Sequence, residues 1–335
     1  MGVTIKDVAR EAGVSVTSTS YALNNSGPVS EEKKQRIYDA AKKLGYVPSG
    51  VAKSLQSKKM GFVGYFAYSL SGPMFGELIK GVEDVFNCYS QDMVACCCSP
   101  HIRKVTRLLK EKMVDGAIVF VEHIEDELLT RIASEDCPIV VMDRDLTGDY
   151  ISSILIDKQG SAYEVGRYIS RQGFQSVGCI MGNGYDGEQR EKGFMDAVSD
   201  YRLNLQKDCI LRGDFQAEIA YEVMKQWLMD KNHVLPEVIF AASDEMAISA
   251  IQALEECGYK VPQDVSIIGM DDIPMAAMTK PALTTIHRPI YELGRLAATT
   301  LYDMMQNHTK GSRQILSTYL VERESCVSRH KGEPI

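Results

Sequence analysis

The sequence predicts an all-α helix-turn-helix head followed by an α/β body of two parallel, doubly wound subdomains. Three observations predict this division. Helical signals fill the first 48 residues, short apolar runs alternate with helical stretches from Gly61 onward, and the charge of the two parts differs in sign. At 335 residues the chain can hold two or three domains with a substantial core.

The beginning of the chain predicts two short helices joined by a tight turn. The apolar residues of the first helix end at Gly13, a residue type that suits a left-handed helix stop. Ser15 caps the second helix, whose core side we expect to hold Ser18 and Ala22. This pattern is typical of a helix-turn-helix, in which the second helix enters a DNA major groove. On spacing alone, a plain pair of helices without DNA binding is an equal alternative.

The charge distribution favours DNA binding. Residues 1 to 60 carry ten Lys and Arg against five Asp and Glu, whereas the remaining 275 residues carry 27 against 40. A basic head on an acidic body is expected when one segment meets phosphate and the other does not.

A third helix and a linker complete the head. Ser30 caps this helix, which has acidic residues in its first turn and lysines in its last, as the helix dipole favours. Residues 50 to 57 then predict a helix of barely two turns, too short to be stable alone. We expect it to form on binding, with a flexible linker as the alternative.

The body predicts parallel sheets with helices on both faces, because strand and helix signals alternate along it. The residue count fits two such sheets better than one. In open sheets of this kind, ligands bind beyond the carboxyl ends of the strands. Those ends combine aromatic residues with carboxylates and arginines, a mixture that suits the apolar face and hydroxyl rim of a sugar.

The nine cysteines show no metal-binding spacing, and their odd number argues against a complete disulfide set. Met93 to Cys98 predicts a buried strand, in which free cysteine acts as a small hydrophobe. We therefore expect no metal and no cofactor. The sequence has no GxSxG, HExxH or Walker motif, so we expect no enzyme.

No apolar run approaches the ~18 residues that span a bilayer, and the first residues lack the pattern of a signal segment. We expect a cytoplasmic protein without membrane attachment. An exported sugar receptor would need a signal segment and would have no use for a basic head.

The head resembles that of the lactose-repressor/galactose-repressor (LacI/GalR) family of transcription factors. The likeness rests on the runs TIKDVAREAGVS, LNNSGPVSEEKKQRI and AAKKLGYVPSGVAKSL. It continues through the body in SGPMF, REKGF, GDF, ASDEMA, GMDD and PALTTIHRPIYELGRLA. The resemblance implies a type I periplasmic-binding-protein-like body, in which a small effector lies between two subdomains.

The resemblance also implies the domain boundaries and the partners. The helix-turn-helix head takes 1-48, the hinge helix and linker take 49-60, and the effector-binding and dimerisation core takes 61-335. Within the core, subdomain one covers 61-158 and 289-317, and subdomain two covers 159-288 and 318-335. A protein of this kind binds a palindromic double-stranded DNA operator as a homodimer, together with a small-molecule effector.

In the head, the family's base-contacting positions fall on Val16, Thr17 and Tyr21, and Ser20 shares their outward side. Tyr21 departs from the family, since many members have there an Arg that can hold guanine with two hydrogen bonds. The residues better explained as phosphate contacts or helix caps are Thr4, Ser15, Ser18 and Asn24.

In the hinge, the resemblance assigns minor-groove contacts to Ala52, Lys53 and Leu55. Leu55 matches the apolar side chain that wedges a base step and kinks the operator.

In the body, the resemblance assigns effector contacts to five residues. Arg190 and Asp271 bind the effector, and Phe75 and Phe215 stack on it. Ser243 stands where some members have Asn. The alternatives are that Asp271 caps the following helix and that Arg190 pairs with a helix carboxylate.

Together these observations predict a repressor of carbohydrate-utilisation genes that a small sugar releases from DNA. The alternative is a regulator whose DNA binding is tightened by a corepressor, either a purine or a phosphorylated carrier protein. The sequence does not show whether the effector weakens or strengthens DNA binding.

Overall fold

The structure is a computed structural model that describes residues 3–47, 59–98, 106–111, 113–121 and 124–329. The chain divides into two compact units, one of residues 1–62 with 113–115 and one of residues 63–112 with 116–335. The predicted hinge helix, with its candidates Ala52, Lys53 and Leu55, lies outside the described residues.

The first unit contains three helices, as predicted for the head. They are α1 (Ile5–Ala12), α2 (Val16–Asn24) and α3 (Glu31–Leu44). Their shared core is formed by the buried residues Val8, Ala12, Ala22, Ile37, Ala40 and Ala41.

The core side of α2 differs from the prediction. Thr19, not Ser18, joins Ala22 in the core, and Ser18 is only half-buried. Thr19 can be fully buried because its hydroxyl donates a hydrogen bond to the carbonyl of Ser15 at 3.0 Å.

Local caps fix the helix ends. Gly13 ends α1 with a φ of 63°, the left-handed conformation that glycine adopts without strain. Ser15 caps α2 as predicted, since its Oγ accepts a hydrogen bond from the Ser18 backbone N–H at 3.1 Å. Ser30 stands at the N-cap position of α3 as predicted, but its side chain makes no capping hydrogen bond.

The remainder of the chain alternates strands and helices. The strands are β1 (Phe62–Ala67), β2 (Asp92–Cys97), β3 (Ala117–Phe120), β4 (Ile139–Met142), β5 (Ile151–Ile156), β6 (Ser176–Met181), β7 (Asn204–Arg212), β8 (Val238–Ala241), β9 (Ser266–Asp271), β10 (Thr284–His287), β11 (Arg313–Leu316) and β12 (Tyr319–Val321). The helices are α4 (Pro73–Cys88), α5 (Thr106–Lys110), α6 (Asp126–Ile132), α7 (Lys158–Arg171), α8 (Gly184–Asp200), α9 (Ala217–Met229), α10 (Asp244–Glu256) and α11 (Ile290–Gln306), with a short 3-10 helix at Pro274–Ala277.

The strands form two six-stranded sheets, which confirms the predicted fold class. Sheet one has the order β11-β5-β4-β3-β1-β2, and sheet two has the order β12-β10-β9-β8-β6-β7. The neighbouring strands β3, β4 and β5 pair in parallel, as do β6, β8 and β9, whereas β12 runs antiparallel to β10. Helices α4 and α11 pack together on the side of sheet one, and α7 and α8 pack together on the side of sheet two.

Strand β5 and helix α7 are not evident from the pattern of apolar runs. Strand β5 contains Ser152 and Ser153, which interrupt its apolar run although both are fully buried. Their hydroxyls are satisfied internally, because Ser153 donates to the carbonyl of Arg144 at 2.5 Å and Ser152 accepts from the Ser312 N–H at 3.0 Å.

The prediction of a buried strand from Met93 to Cys98 was wrong. Strand β2 lies at the edge of sheet one, and four of its six residues are exposed, including Cys97. An apolar run indicates a strand but does not distinguish an edge position from a central one. Within the described residues, no helix is long and apolar enough to cross a membrane.

Candidate functional site

Two regions bring predicted site residues together, and the first is the outer side of α2. Val16 and Tyr21 are 42% and 40% exposed, although both are large and apolar. Thr17 and Asn24 are also exposed, and Ser20, which is half-buried, accepts a hydrogen bond from the Asn24 amide at 3.3 Å. This surface can present three unpaired side chains to the edges of bases.

Tyr21 is supported by the loop between α2 and α3. A Cβ atom at Gly27 would lie 2.7 Å from two ring carbons of Tyr21, so only a glycine leaves room for this ring position. Tyr38 on α3 donates its hydroxyl to the carbonyl of Ala22 at 3.0 Å and so joins the two helices.

The polar candidates at the helix ends already have partners within the head. The Asp7 carboxylate accepts hydrogen bonds from the Thr4 backbone N–H at 3.0 Å and from the Thr4 hydroxyl at 2.7 Å. The hydroxyls of Ser15 and Ser18 lie 2.9 Å apart. Capping therefore accounts for Thr4 and Ser15, and their phosphate contacts stay predictions.

The second region is a cavity of about 580 Å³ at the carboxyl ends of strands from both sheets. A volume of this size is ordinary for a small-molecule site. All five residues predicted to contact the effector line it: Phe75, Arg190, Phe215, Ser243 and Asp271.

Sheet one gives the cavity an aromatic wall. The ring centroids of Tyr68 and Phe75 lie 4.8 Å apart with an angle of 88° between their planes, and Phe120 lies 5.4 Å from Tyr68. Edge-to-face contacts of this kind hold aromatic rings in fixed positions. Phe75 is 8% exposed, so only a small part of its ring can contact a ligand, whereas Tyr68 is 45% exposed.

Arg288 connects carboxylates from the two sheets. Its Nη1 donates to Oδ1 of Asp271 at 2.8 Å, and its Nη2 donates to Oδ2 of Asp143 at 3.1 Å. Burial opposes the charge of Arg288, but Asp271 and Asp143 raise the pKa of this guanidinium above its usual value. Asp143 follows β4 of sheet one and Asp271 ends β9 of sheet two, so the ion pair joins the two sheets beside the cavity.

Lys158 makes a second connection between the sheets. Its Nζ lies 3.7 Å from Oδ2 of Asp143 and donates to Oδ1 of Asp186 on α8. Burial by itself raises the pKa of Asp186, but the charges of Lys158 and of two arginines outweigh this effect and lower it. Asp186 is therefore held as a carboxylate.

Arg190 is 3% exposed and already paired. Its Nη1 donates to the carbonyl of Ala242, and its Nη2 lies 3.4 Å from Oδ1 of Asp271. The guanidinium carbon lies 5.1 Å from the ring centroid of Phe215, within the range of a cation–π interaction. Arg190 thus pairs with a strand-end carboxylate rather than with a helix carboxylate, which was the alternative to effector contact. The two effector candidates Arg190 and Asp271 are therefore paired with each other.

The backbone around the cavity adopts unusual conformations. Four non-glycine residues of its lining have positive φ, with values of 54°, 53°, 57° and 122° at Asp143, Asp214, Phe215 and Asp271. Each residue in such a conformation lowers the stability of the folded state by about 1–3 kcal/mol, and it persists only where neighbouring residues hold the backbone in place. A side chain at Gly182 would collide with the Phe215 ring, so the glycine permits that ring position.

Ser243 and Asp244 begin α10 behind the cavity. Ser243 acts as a cap, since its Oγ accepts from the Met246 backbone N–H at 3.3 Å. Asp244 is fully buried and accepts hydrogen bonds from the Thr285 hydroxyl at 2.5 Å and the Ile273 N–H at 2.8 Å. Burial, and then the charge of Asp271, raise the pKa of Asp244 to about 7.

Sequence reasoning missed the charged partners of the predicted effector residues. The effector candidates named from the sequence do not include Lys158, Asp186 or Arg288. The available signal was position, because Lys158 and Arg288 each stand within two residues of the end of a strand. The described residues include no group of three or more His, Cys, Asp and Glu that could hold a metal ion.

Comparison with protein families gives two matches. Residues 4–49 match the family of bacterial regulatory proteins of the lacI type, and residues 167–326 match the periplasmic binding protein-like domain. The first match covers the three helices of the head, and the second covers most of sheet two.

Curated repressors resemble the chain along its whole length. The HTH-type transcriptional repressor PurR of Serratia proteamaculans (strain 568) is 37% identical over 334 residues, which are 97% of this chain and 97% of that protein. A repressor of the same name from Photorhabdus laumondii subsp. laumondii is 35% identical over the same shares.

Solved structures share the fold. The lac repressor dimer bound to operator and the anti-inducer ONPF gives a TM-score of 0.80 at 22% identity, and the likeness covers 98% of this chain and 100% of that one. The transcriptional regulator CelR in complex with cellobiose gives a TM-score of 0.69 at 25% identity, covering 97% and 100%.

Proposed function

Because this chain belongs to the LacI family of bacterial transcriptional repressors, we propose that it represses carbohydrate-utilisation genes and that a small sugar relieves the repression. The protein is a DNA-binding regulator of transcription and not an enzyme. The observation that carries the sugar proposal is the cavity, which places an aromatic wall opposite a rim of carboxylates and arginines.

A sugar fits this combination of groups. Its apolar face can lie against Tyr68 and Phe215, while its hydroxyls donate to Asp271 or accept from Arg190. Arg190 Nε has no hydrogen-bond partner within the described residues, so a ligand oxygen would satisfy a buried donor. The cellobiose complex of CelR gives independent support for a saccharide.

A corepressor such as a purine is the second candidate. Whole-length similarity to repressors named PurR favours it. A flat base would use the aromatic wall, but it has few groups with which to engage a rim of five carboxylates and three cations. The geometry therefore supports the sugar more strongly.

The operator would be bound by two heads related by two-fold symmetry, so we propose a homodimer on a palindromic site. The lac repressor structure is such a dimer on its operator. Val16, Thr17 and Tyr21 would contact base edges, with Ser20 on the same side of the helix, and Thr4, Ser15, Ser18 and Asn24 would contact phosphates. A repressor of chromosomal genes would act in the cytoplasm.

The proposed hinge couples the effector to the operator. Within the hinge and linker segment 49-60, residues 50 to 57 would form a helix only on DNA, with Leu55 wedged in the minor groove and Ala52 and Lys53 beside it. Since Arg288 and Lys158 join the two sheets, a sugar that rearranges their ion pairs would change the relative orientation of the two subdomains. The free energy of that change is the coupling between the two sites.

The test is operator binding by the full chain, followed by fluorescence anisotropy on a palindrome selected from random DNA. Sugars and purines are added one at a time at fixed salt, because salt alone changes such affinities steeply. The proposal predicts that at least one sugar raises the operator Kd. A purine that lowers the Kd would contradict it and support the corepressor, and a Kd that no sugar changes would also contradict it.

A further inference from the structure

Every cation that lines the cavity is already neutralised. Arg144 pairs with Asp126 and donates to the carbonyls of Val121 and Ile124 at 3.3 and 2.5 Å. Lys158 and Arg190 are held as described above, by carboxylates and by backbone carbonyls. A ligand anion could form an ion pair with one of these cations only by competing with the carboxylate that already pairs with it.

The carboxylates of the cavity are not balanced in the same way. Three lining cations and Arg288, which lies beside the cavity and pairs with Asp143 and Asp271, face five lining carboxylates: Asp143, Asp186, Asp214, Glu245 and Asp271. Asp214 and Glu245 form no hydrogen bond or ion pair through their side chains with any described residue. Asp271 shares its Oδ1 between two arginines, while its Oδ2 has no partner within the described part of the chain.

The unbalanced negative charge lies along the strand ends of sheet two. Asp214 follows β7, Glu245 stands in the first turn of α10 after β8, and Asp271 ends β9. The amino end of α10 offsets part of this charge through its dipole. The offset is incomplete, because burial and the charge of Asp271 still raise the pKa of Glu245 above its usual value.

This charge pattern determines which ligand the cavity accepts. A phosphate or carboxylate on a sugar would lose its water shell among carboxylates, which is unfavourable. Within the described residues, the one buried donor of the lining cations without a hydrogen-bond partner is the Nε–H of Arg190, on a guanidinium that Asp271 already neutralises. An ammonium group would instead pair with an unpartnered carboxylate and donate charge-assisted hydrogen bonds. The exposed ring of Tyr68 gives such a cation an aromatic face as well.

We infer that the cavity selects a sugar without phosphate or carboxylate groups and binds an amino sugar more tightly than the corresponding neutral sugar. This inference rests on the proposal that the effector is a sugar. Asp214 and Glu245 are the residues that set the selectivity, and neither is among the residues that the family resemblance assigned to the effector.

The test compares matched ligands that differ in one group. Glucose, galactose and mannose are each titrated into the full chain by calorimetry beside their 2-amino-2-deoxy and 6-phosphate forms. For the parent sugar that binds, we expect the amino form to bind about tenfold more tightly and the phosphate at least about tenfold more weakly. The amino preference should shrink as salt rises.

The double variant Asp214→Asn, Glu245→Gln should bring the amino and neutral forms to equal affinity. Glu222→Gln, which removes a carboxylate from the exposed side of α9, is the control and should keep the preference. A phosphate form that binds as tightly as its parent would overturn the inference and leave the sugar proposal standing. An amino form no tighter than its parent would also overturn it. No binding in any of the three series would overturn both.

Discussion

The candidate residues on the outer side of α2 differ from those in the cavity in their exposure, their separation along the sequence and the contacts that hold them in place. On α2 the base-contact candidates lie within six consecutive positions, are exposed, and depend only on local caps and one supporting loop. In the cavity the candidates come from positions 75 to 271. Arg190 and Asp271 are paired with each other, and Asp271 is also paired with the buried Arg288 beside the cavity.

This difference predicts how each site responds to substitution. An exposed side chain on α2 can be removed without leaving a partner behind, so its loss should change one contact only. Removing one member of a buried ion pair leaves its partner charged and unpaired, which costs about 3–5 kcal/mol. The largest effects are therefore expected in the cavity.

The first prediction concerns Asp271, which both Arg190 and Arg288 share. Asp271→Asn should lower the affinity for the effector sugar more than about 100-fold, because two buried guanidinium groups lose a common carboxylate. Calorimetry with the sugar identified in the anisotropy panel measures this loss.

The neighbouring carboxylate provides a matched control. Asp272 also has positive φ, but it pairs with His287 at 2.8 Å and Arg323 at 2.6 Å and does not line the 580 Å³ cavity. Asp272→Asn should leave the sugar affinity within about threefold of the wild type, since a partly exposed pair contributes about 1 kcal/mol or less. Equal losses in the two variants would contradict the placement of the site.

The second prediction concerns pH and Asp244. Since the pKa of this carboxyl is raised from 3.8 to about 7 in the folded chain, the folded state binds a proton that the unfolded state releases between those values. Its contribution to stability is present below pH 4 and lost as pH rises to 7, by up to about 4 kcal/mol.

Asp244→Asn should remove this pH dependence, because an amide does not titrate. Its oxygen can accept from the Ile273 N–H, and its NH2 group can donate to the Thr285 hydroxyl oxygen. Urea unfolding between pH 4.5 and 7.5 measures the difference between the two proteins. Curves for wild type and variant that fall in parallel over this range would show that Asp244 does not titrate there.

The third prediction tests the local character of α2. Tyr21→Ala should weaken binding to the selected operator by about 1–2 kcal/mol while leaving binding to random DNA nearly unchanged, because only a base contact is lost. Tyr38→Phe on α3 is the control, because it removes a hydrogen bond that supports α2 but lies outside the recognition surface; any loss of affinity it causes should be equal on both DNAs. Equal weakening on both DNAs would mean that Tyr21 supports the head rather than contacting a base.

The smallest effect is expected at the cap of α2. Ser15→Ala should destabilise this helix by about 1 kcal/mol, because the Ser18 N–H loses its acceptor. Hydrogen exchange at the α2 amides measures this change. If the variant lost much more binding free energy on random DNA than this destabilisation of the helix, Ser15 would be a phosphate contact in addition to a cap.

The sequence predicted the head well because its signals are local. The stop at Gly13, the cap at Ser15 and the exposure of Val16 and Tyr21 all follow from residues within a few positions of each other. The error at Thr19 arose because a hydroxyl can be buried when a backbone carbonyl one turn away accepts its proton.

The cavity was predicted only in part, because its chemistry depends on residues distant in sequence. Strand ends can be located from apolar runs, and so the five effector candidates could be named. Nothing local shows that Arg288 meets Asp143, 145 positions away, or that Asp214 and Glu245 lack partners. Strand β5 is not evident from the sequence for the same reason. Its buried serines interrupt the apolar run, and their hydrogen-bond partners include Ser312, which is 160 positions from Ser152.

The central claim is that the cavity and the operator-binding head are energetically coupled. Coupling between two sites is reciprocal, so operator DNA must change sugar affinity by the same factor by which the sugar changes operator affinity. The measurement is a calorimetric titration of the sugar into the full chain with and without saturating operator. The account predicts that the two sugar Kd values differ by the factor seen in the anisotropy experiment. Equal Kd values, with a sugar that does bind, would contradict it.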